Sequence, residues 1–261
     1  FTSVIDMNHG DVNMFEMFGK VEDELSIYPS QMQKLILMAE QAYAATDADR
    51  AVIRGSLEEI ATQFYIDQRM WYENAEQNRE RLRIVGIPHD EVPRLPLFVS
   101  YLDQAYNTMV NSSNYDPEKL HALNVLSMTF RNLLSSNGDL FDTQTTPVID
   151  NVVGGRRVIY DFSTLLGRGQ GVAMAQLVNI VDFAVAQLSA GDVLIIHAAE
   201  NIDGGVWDYI EVQLDKLYKR GGRVAFLYNN VDKMLKNVHM NRFDTADYTI
   251  FGNMSANHVQ Q

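Results

Sequence analysis

The stretch GDVLIIHAAENI, residues 191–202, decides how the second half of the chain is read. Four consecutive apolar residues, Val193 to Ile196, follow a Gly-Asp pair. The run is short and rich in β-branched side chains, so it is a strand rather than a helix. His197 and Ala198 stand at its carboxyl tip. Ligands of α/β sheets collect beyond the carboxyl ends of the strands, so the chemistry of these two residues matters most.

Working outward, the alternation is regular. RRVIYDFS (156–163) is a strand, and GQGVAMAQLVNIVDFAVAQLSAG (169–191) is a long, nearly all-apolar helix with a glycine stop. After 191–198 comes a glycine-flanked helix (204–222), then the strand RVAFLYN (223–229) and a short helix, VDKMLKN. ADYTIFGN (246–253) is the last strand expected. Such an order predicts an α/β fold with a mostly parallel sheet and helices on both faces. The expected strand tips are Asp161-Phe162-Ser163, His197-Ala198, Tyr228-Asn229 and Gly252-Asn253.

Before residue 137 the period is helical. SQMQKLILMAEQAYAA is expected to start on a Ser30 cap, and DADRAVIRGSLEEIATQFYID on an Asp cap with Val52, Ile53, Leu57, Ile60 and Phe64 along one face. WYENAEQNRERLRIVG (71–86) reads as a solvated helix or a mobile excursion. IPHDEVPRLP, with prolines at 88, 93 and 96, is a loop. LPLFVSYLDQAYNTMV (95–110) and DPEKLHALNVLSMTFRNLLS (116–135) are amphipathic helices, the second capped by Asp116 with Pro117 at its first position. The expected organisation is therefore 1–29 as the start of the core (strand or loop), 30–136 as an all-helical subdomain, and 137–261 as an α/β core.

Composition narrows the classes. The chain has 261 residues, 46% hydrophobic and 10% aromatic, enough for a packed interior. Its net charge of −13 argues against a broad nucleic-acid-binding face, leaving only a local basic rim at Arg156-Arg157 or Lys216–Arg223. The lack of cysteine excludes disulfides and thiolate metal sites and fits a reducing, cytoplasmic setting. No apolar run approaches the ~20 residues of a membrane span. His9, His89, His121, His239 and His258 show no metal-ligand spacing. Most of the 12 methionines fall in the helical half as core filler. The pairs Met14-Phe15 and Met17-Phe18, and the DYTIFG strand, are expected to pack against material upstream. Phe1 is not an initiator methionine, and the chain reads as a piece of something longer.

Taken in order, these segments resemble the C-terminal ATPase domain of the type IV secretion and conjugative-transfer ATPases, of the FtsK/HerA-type P-loop motor superfamily. LSIYPSQMQKLILMAEQAYAATDADRAVIRGSLEEI is similar to the first helices of that family's all-helical insertion, and PLFVSYLDQ to its "PTLSDLYEAL". LLSSNGDLFD resembles its "G…LFD" hairpin, and VIYDFSTLL its "VVFDLSSL" strand. GDVLIIHAAENI falls where the family has "LVIDEAW.L", and LDKLYKRGGRVAFLYNNVDKML where it has "R.GRK.G…TQ..DDLL". The resemblance implies a RecA/FtsK-like core, ATP and magnesium as ligands, and a homo-oligomer or other secretion-machinery subunits as partners. It also implies a cytoplasmic location peripheral to the inner-membrane apparatus.

The departures bear on function. No G-x-x-x-x-G-K-[ST] occurs; LLGRGQGVA lacks the lysine and hydroxyl that reach phosphate and magnesium. The family places that loop upstream of where this chain starts, so this chain alone does not support ATP and magnesium. The metal-holding Asp aligns with His197 and the water-polarising Glu with Ala198. An imidazole is a poor ligand for a hard cation, and alanine orients no water. Glu200 is a substitute acid whose offset is expected to point it elsewhere. The sensor glutamine aligns with Asn229, which reads equally as a turn residue. Lys219 and Arg220, with Arg223 nearby, align with the cations that reach a neighbour's phosphate; they also complement a helix dipole. The resulting expectation is an ATPase-like component, impaired in hydrolysis, with an assembly or docking role. The alternatives are an active motor with its phosphate loop upstream, and an interaction domain that merely shares the fold.

Overall fold

The computed structural model describes residues 2–42, 46–113, 115–146, 157–236, 246–250 and 252. The chain divides into two compact units, 1–187 and 188–261.

In the first unit, β1 (Thr2–Asp6) pairs in parallel with β2 (Arg157–Asp161), in register from Thr2 opposite Arg157 to Asp6 opposite Asp161. Between them run α1 (Glu24–Ala42), α2 (Asp47–Asp67), α3 (Leu95–Val110) and α4 (Pro117–Phe141); α5 (Gln170–Gln187) follows β2. α1 packs on α5 and on α2, and α3 on α4. Phe15, Phe64, Phe98 and Phe130 make a chain of tilted and edge-on ring contacts at 4.9–5.9 Å that fills the space between α2, α3 and α4.

In the second unit, β3 (Val193–His197) pairs in parallel with β4 (Arg223–Leu227), joined by α6 (Gly204–Lys219) and followed by α7 (Val231–Lys236). Trp207 of α6 is fully buried, its ring 5.2 Å from that of Phe226.

The strands are parallel, as the pattern predicts, but the described ones form two two-stranded sheets rather than one sheet. Nor are both faces of each sheet covered. Val4 and its register partner Ile159 are exposed on one sheet, and Val193, Ile195 and Leu227 on the other. The last strand expected from sequence does not form in its described part. Residues 246–250 are irregular, with Tyr248 and Ile250 about nine-tenths exposed; Phe251 and Asn253 lie outside the described residues.

Local departures have tertiary causes. α1 starts at Glu24, not after Ser30, and carries Pro29 inside it. Tertiary contacts hold that early turn: the Tyr28 ring stacks on Trp71 at 3.8 Å, and a Glu24 carboxylate oxygen accepts from the Ile84 and Val85 N–H groups. The same contacts explain why residues 71–86 form neither a free helix nor a loose excursion. They are turns around a short 3-10 segment, Arg79–Arg81, anchored by buried Met70, Leu82 and Ile84. α2 is capped by Thr46 rather than Asp47, in a reciprocal box with Asp49. Asp116 does cap α4, accepting from the Glu118 and Lys119 N–H groups. The "LFD" segment resembled a hairpin, yet α4 runs through it to Phe141 with a kink at Asn137. Met14, Phe15 and Met17 are buried within this chain, without material from elsewhere.

Candidate functional site

β3 delivers His197 to an exposed position at the sheet's carboxyl edge, level with Leu227 of β4. Ala198 then adopts a left-handed conformation, φ 56° and ψ 40°. A side chain there costs about 1 kcal/mol, and the reversal has a consequence. It throws the 3-10 turn Ala199–Asn201 back toward the strand tips. Glu200 ends up 9% exposed, and its Oε1 accepts the Asn229 N–H at 3.2 Å. The loop offset expected to point Glu200 elsewhere is thus overturned by one backbone torsion pair. Its other oxygen, Oε2, is buried with no hydrogen-bond partner among the described residues.

A second link joins the same two turns. Lys233 Nζ donates to Asn201 Oδ1 at 3.3 Å, and the Lys233 N–H to Asn230 Oδ1 at 3.0 Å. The turn after β3 and the turn after β4 therefore form one polar cluster, comprising Glu200, Asn201, Asn229, Asn230 and Lys233.

Lys219, Arg220 and Arg223 are not in it. α6 starts beside the carboxyl edge and runs 16 residues, about 24 Å at the usual helical rise, to the opposite edge. There Arg223 lies opposite Val193, and Arg220 Nε donates to the Lys216 carbonyl. Of the residues singled out from sequence, the fold gathers His197, Ala198, Glu200 and Asn229 and separates the three cations from them.

The other strand pair has its own polar edge. Asp6 and Asp161 are register partners, and each carboxylate closes a local turn, Asp6 accepting from Asn8 N–H and Thr164 Oγ1, Asp161 from Ser163 N–H. The Asn8 backbone bond, and then Thr164, hold the Asp6 carboxyl below its ordinary range. Arg168, from the glycine-rich run LLGRGQGVA, is spent on Asp139 through two bonds of 2.9 and 2.5 Å and on Asn8 at 2.6 Å. A Cβ at Gly171 would stand 2.0 Å from the Gln41 carbonyl oxygen. That glycine serves the close approach of α5 to the end of α1, not a phosphate cradle. Arg156 and the histidines at 239 and 258 lie outside the described residues.

Sequence reasoning missed a buried polar network in the first unit. Lys34 is fully buried, with Nζ 3.4 Å from Asp182 Oδ2 and donating to the Glu16 carbonyl at 2.9 Å. Burial lowers its ammonium, opposed by the Asp182 carboxylate. The Glu16 side chain takes His89 Nδ1 at 2.7 Å and the Thr145 hydroxyl. A signal was present: Lys34 falls within the apolar stripe of α1, between Gln31 and Leu35.

Among the described residues no group of three or more His, Asp or Glu is placed to hold a metal. Among the described residues no helix is long and apolar enough to cross a membrane.

No protein-family model matches this chain, and no curated protein does. A solved structure does: VirB4 of Thermoanaerobacter pseudethanolicus, at 16% identity and a TM-score of 0.65, over 92% of this chain and 60% of that one. The chain thus spans about three-fifths of the length of the VirB4 structure, and over nearly all of its own length it has the VirB4 fold.

Proposed function

We propose that this chain is an ATPase-like component of a conjugative DNA-transfer or type IV secretion apparatus, slowed in hydrolysis and working in assembly or docking. Two independent lines support the kinship. The motif order resembles that of the type IV secretion ATPases, and the fold is that of the solved VirB4 structure. The slowed hydrolysis rests on the tip of β3, where His197 and Ala198 fall, by the resemblance, at the positions of a metal-holding and a water-polarising acid.

The residues present do not fit a magnesium ion. Magnesium demands hard oxygen ligands in near-octahedral array, whereas this tip offers an exposed imidazole, a methyl group and one carboxylate already half engaged. Positioning and charge stabilisation supply nearly all of phosphoryl-transfer catalysis, so an edge without them is slow. The uncovered apolar strand faces support a role built on contact with a second copy or with other subunits of the apparatus. The acidic net charge speaks against direct DNA contact.

The test is ATP turnover by the full-length protein. Wild type is expected far below the ordinary range of about 1–10³ s⁻¹, and the double change His197→Asp with Ala198→Glu is expected to raise it. Ordinary turnover that vanishes with loss of a phosphate-loop lysine, and ignores His197→Asp, would instead establish an active motor. The return of Glu200 to the strand tips favours that second reading.

A further inference from the structure

We propose that Glu200 is a positioning residue, which sets the tip of β4 for ligand contact by Asn229. The starting point is an imbalance of groups. Glu200 is nine-tenths buried, yet only one of its carboxylate oxygens has a partner, the Asn229 N–H. Buried carboxylates in stable cores have their oxygens satisfied. One left half open, behind a strained Ala198 that is required to bring it there, is the signature of a constrained site rather than of simple packing.

The wiring is specific. Glu200 holds the backbone of Asn229, Asn201 receives Lys233, and Asn230 caps the Lys233 N–H, so the turn after β3 grips both ends of the turn after β4. Glu200 acts only through the backbone of Asn229, which leaves the Asn229 side-chain amide to meet a ligand. Oε2 is the acceptor for a hydrogen-bond donor that arrives with the ligand. A carboxylate this close to the edge repels bare phosphate, so the donor is a neutral or cationic group, not a phosphoryl oxygen. The inference rests on the reading above that the chain is ATPase-like, and takes a nucleoside triphosphate as the ligand to be tried.

The experiment uses the full-length protein and a fluorescent, non-hydrolysable ATP analogue, read by anisotropy, together with amide hydrogen exchange at Asn229. Variants are Glu200→Ala, which removes the acceptor, and Glu200→Gln, which keeps one. Glu200→Ala is expected to speed Asn229 exchange at least tenfold and to weaken the analogue at least fivefold. Glu200→Gln restores both to within about twofold. Faster exchange with unchanged affinity would reduce Glu200 to a structural bond and overturn the proposal; so would unchanged exchange in Glu200→Ala. If Glu200→Ala fails to fold, the Gln variant decides, since loss of affinity there despite retained protection also overturns it. Failure of the wild type to bind the analogue overturns the nucleotide reading of the edge and the ligand half of this proposal. The exchange result still decides whether Glu200 holds Asn229.

Discussion

Lys34 and Asp182 offer the sharpest test of how the first unit is held together. Both are buried, 3.4 Å apart, on α1 and α5. At an effective dielectric of about 20 their gross attraction is about 5 kcal/mol, set against the cost of taking both charges out of water. Lys34→Met alone strands the Asp182 carboxylate and frees the Glu16 carbonyl, for a loss of about 3–5 kcal/mol. Asp182→Leu alone strands the ammonium at a similar cost. The double variant removes both charges, so only the Glu16 carbonyl is left unserved, at about 1–3 kcal/mol. The singles would then sum to about 6–10 kcal/mol against a far smaller double. The chain's two tryptophans lie one in each unit, Trp71 and Trp207. Urea unfolding followed by Trp71 fluorescence in a Trp207→Phe background therefore reports on the first unit. A double variant as costly as the summed singles would refute the pairing.

Other consequences are equally direct. Thr46→Ala and Asp116→Ala each remove a cap and are expected to cost about 1 kcal/mol, read as a lowered urea midpoint at constant slope. The Arg168 hydrogen bond holds the Asp139 carboxyl below its ordinary range. A depressed carboxyl stabilises the fold above its unfolded value of about 3.9, and that stability goes as pH falls through the folded value. Asp139→Asn should therefore destabilise at pH 7 and converge with wild type as pH falls through the folded value; a difference that stays constant on acidification would exclude the pair. Burial pushes Tyr28, Tyr101 and Tyr160 up to about 12 and raises Tyr65 as well. Raised phenols keep their stabilising effect below about pH 10 and lose it as pH climbs toward 12, so thermal midpoints should fall steeply there, in step with phenolate absorbance. Ala198→Gly removes a left-handed alanine and is expected to stabilise the second unit by up to about 1 kcal/mol, measured by Trp207 fluorescence.

Much of the fold was legible in the sequence because local signals were strong. The periodic helices at 95–110 and 117–135, the Asp116-Pro117 start and the three strands at 157–161, 193–197 and 223–227 all needed only spacing and caps. What failed was whatever depended on a distant partner. Residues 71–86 look solvated by composition, yet Glu24 and Tyr28 anchor them from over forty positions away. The 246–253 run has the composition of a strand, yet its described residues 246–250 form none, since a strand exists only where a neighbour supplies its ladder. Lys34 reads as an oddity in an apolar stripe until Asp182, 148 residues on, is placed against it.

The candidate site divides the same way. Sequence by itself determined which side chains stand at the third strand's tip, an imidazole and a methyl group, because that depends only on residue identity; their match to two acids of a motor is a resemblance. Tertiary structure alone decided what lies around them. The left-handed turn at Ala198 folds Glu200 back onto Asn229, and the length of α6 carries Lys219, Arg220 and Arg223 to the far edge. Residue types are written along the chain, but the direction in which a carboxylate points is set by backbone torsions that distant packing selects.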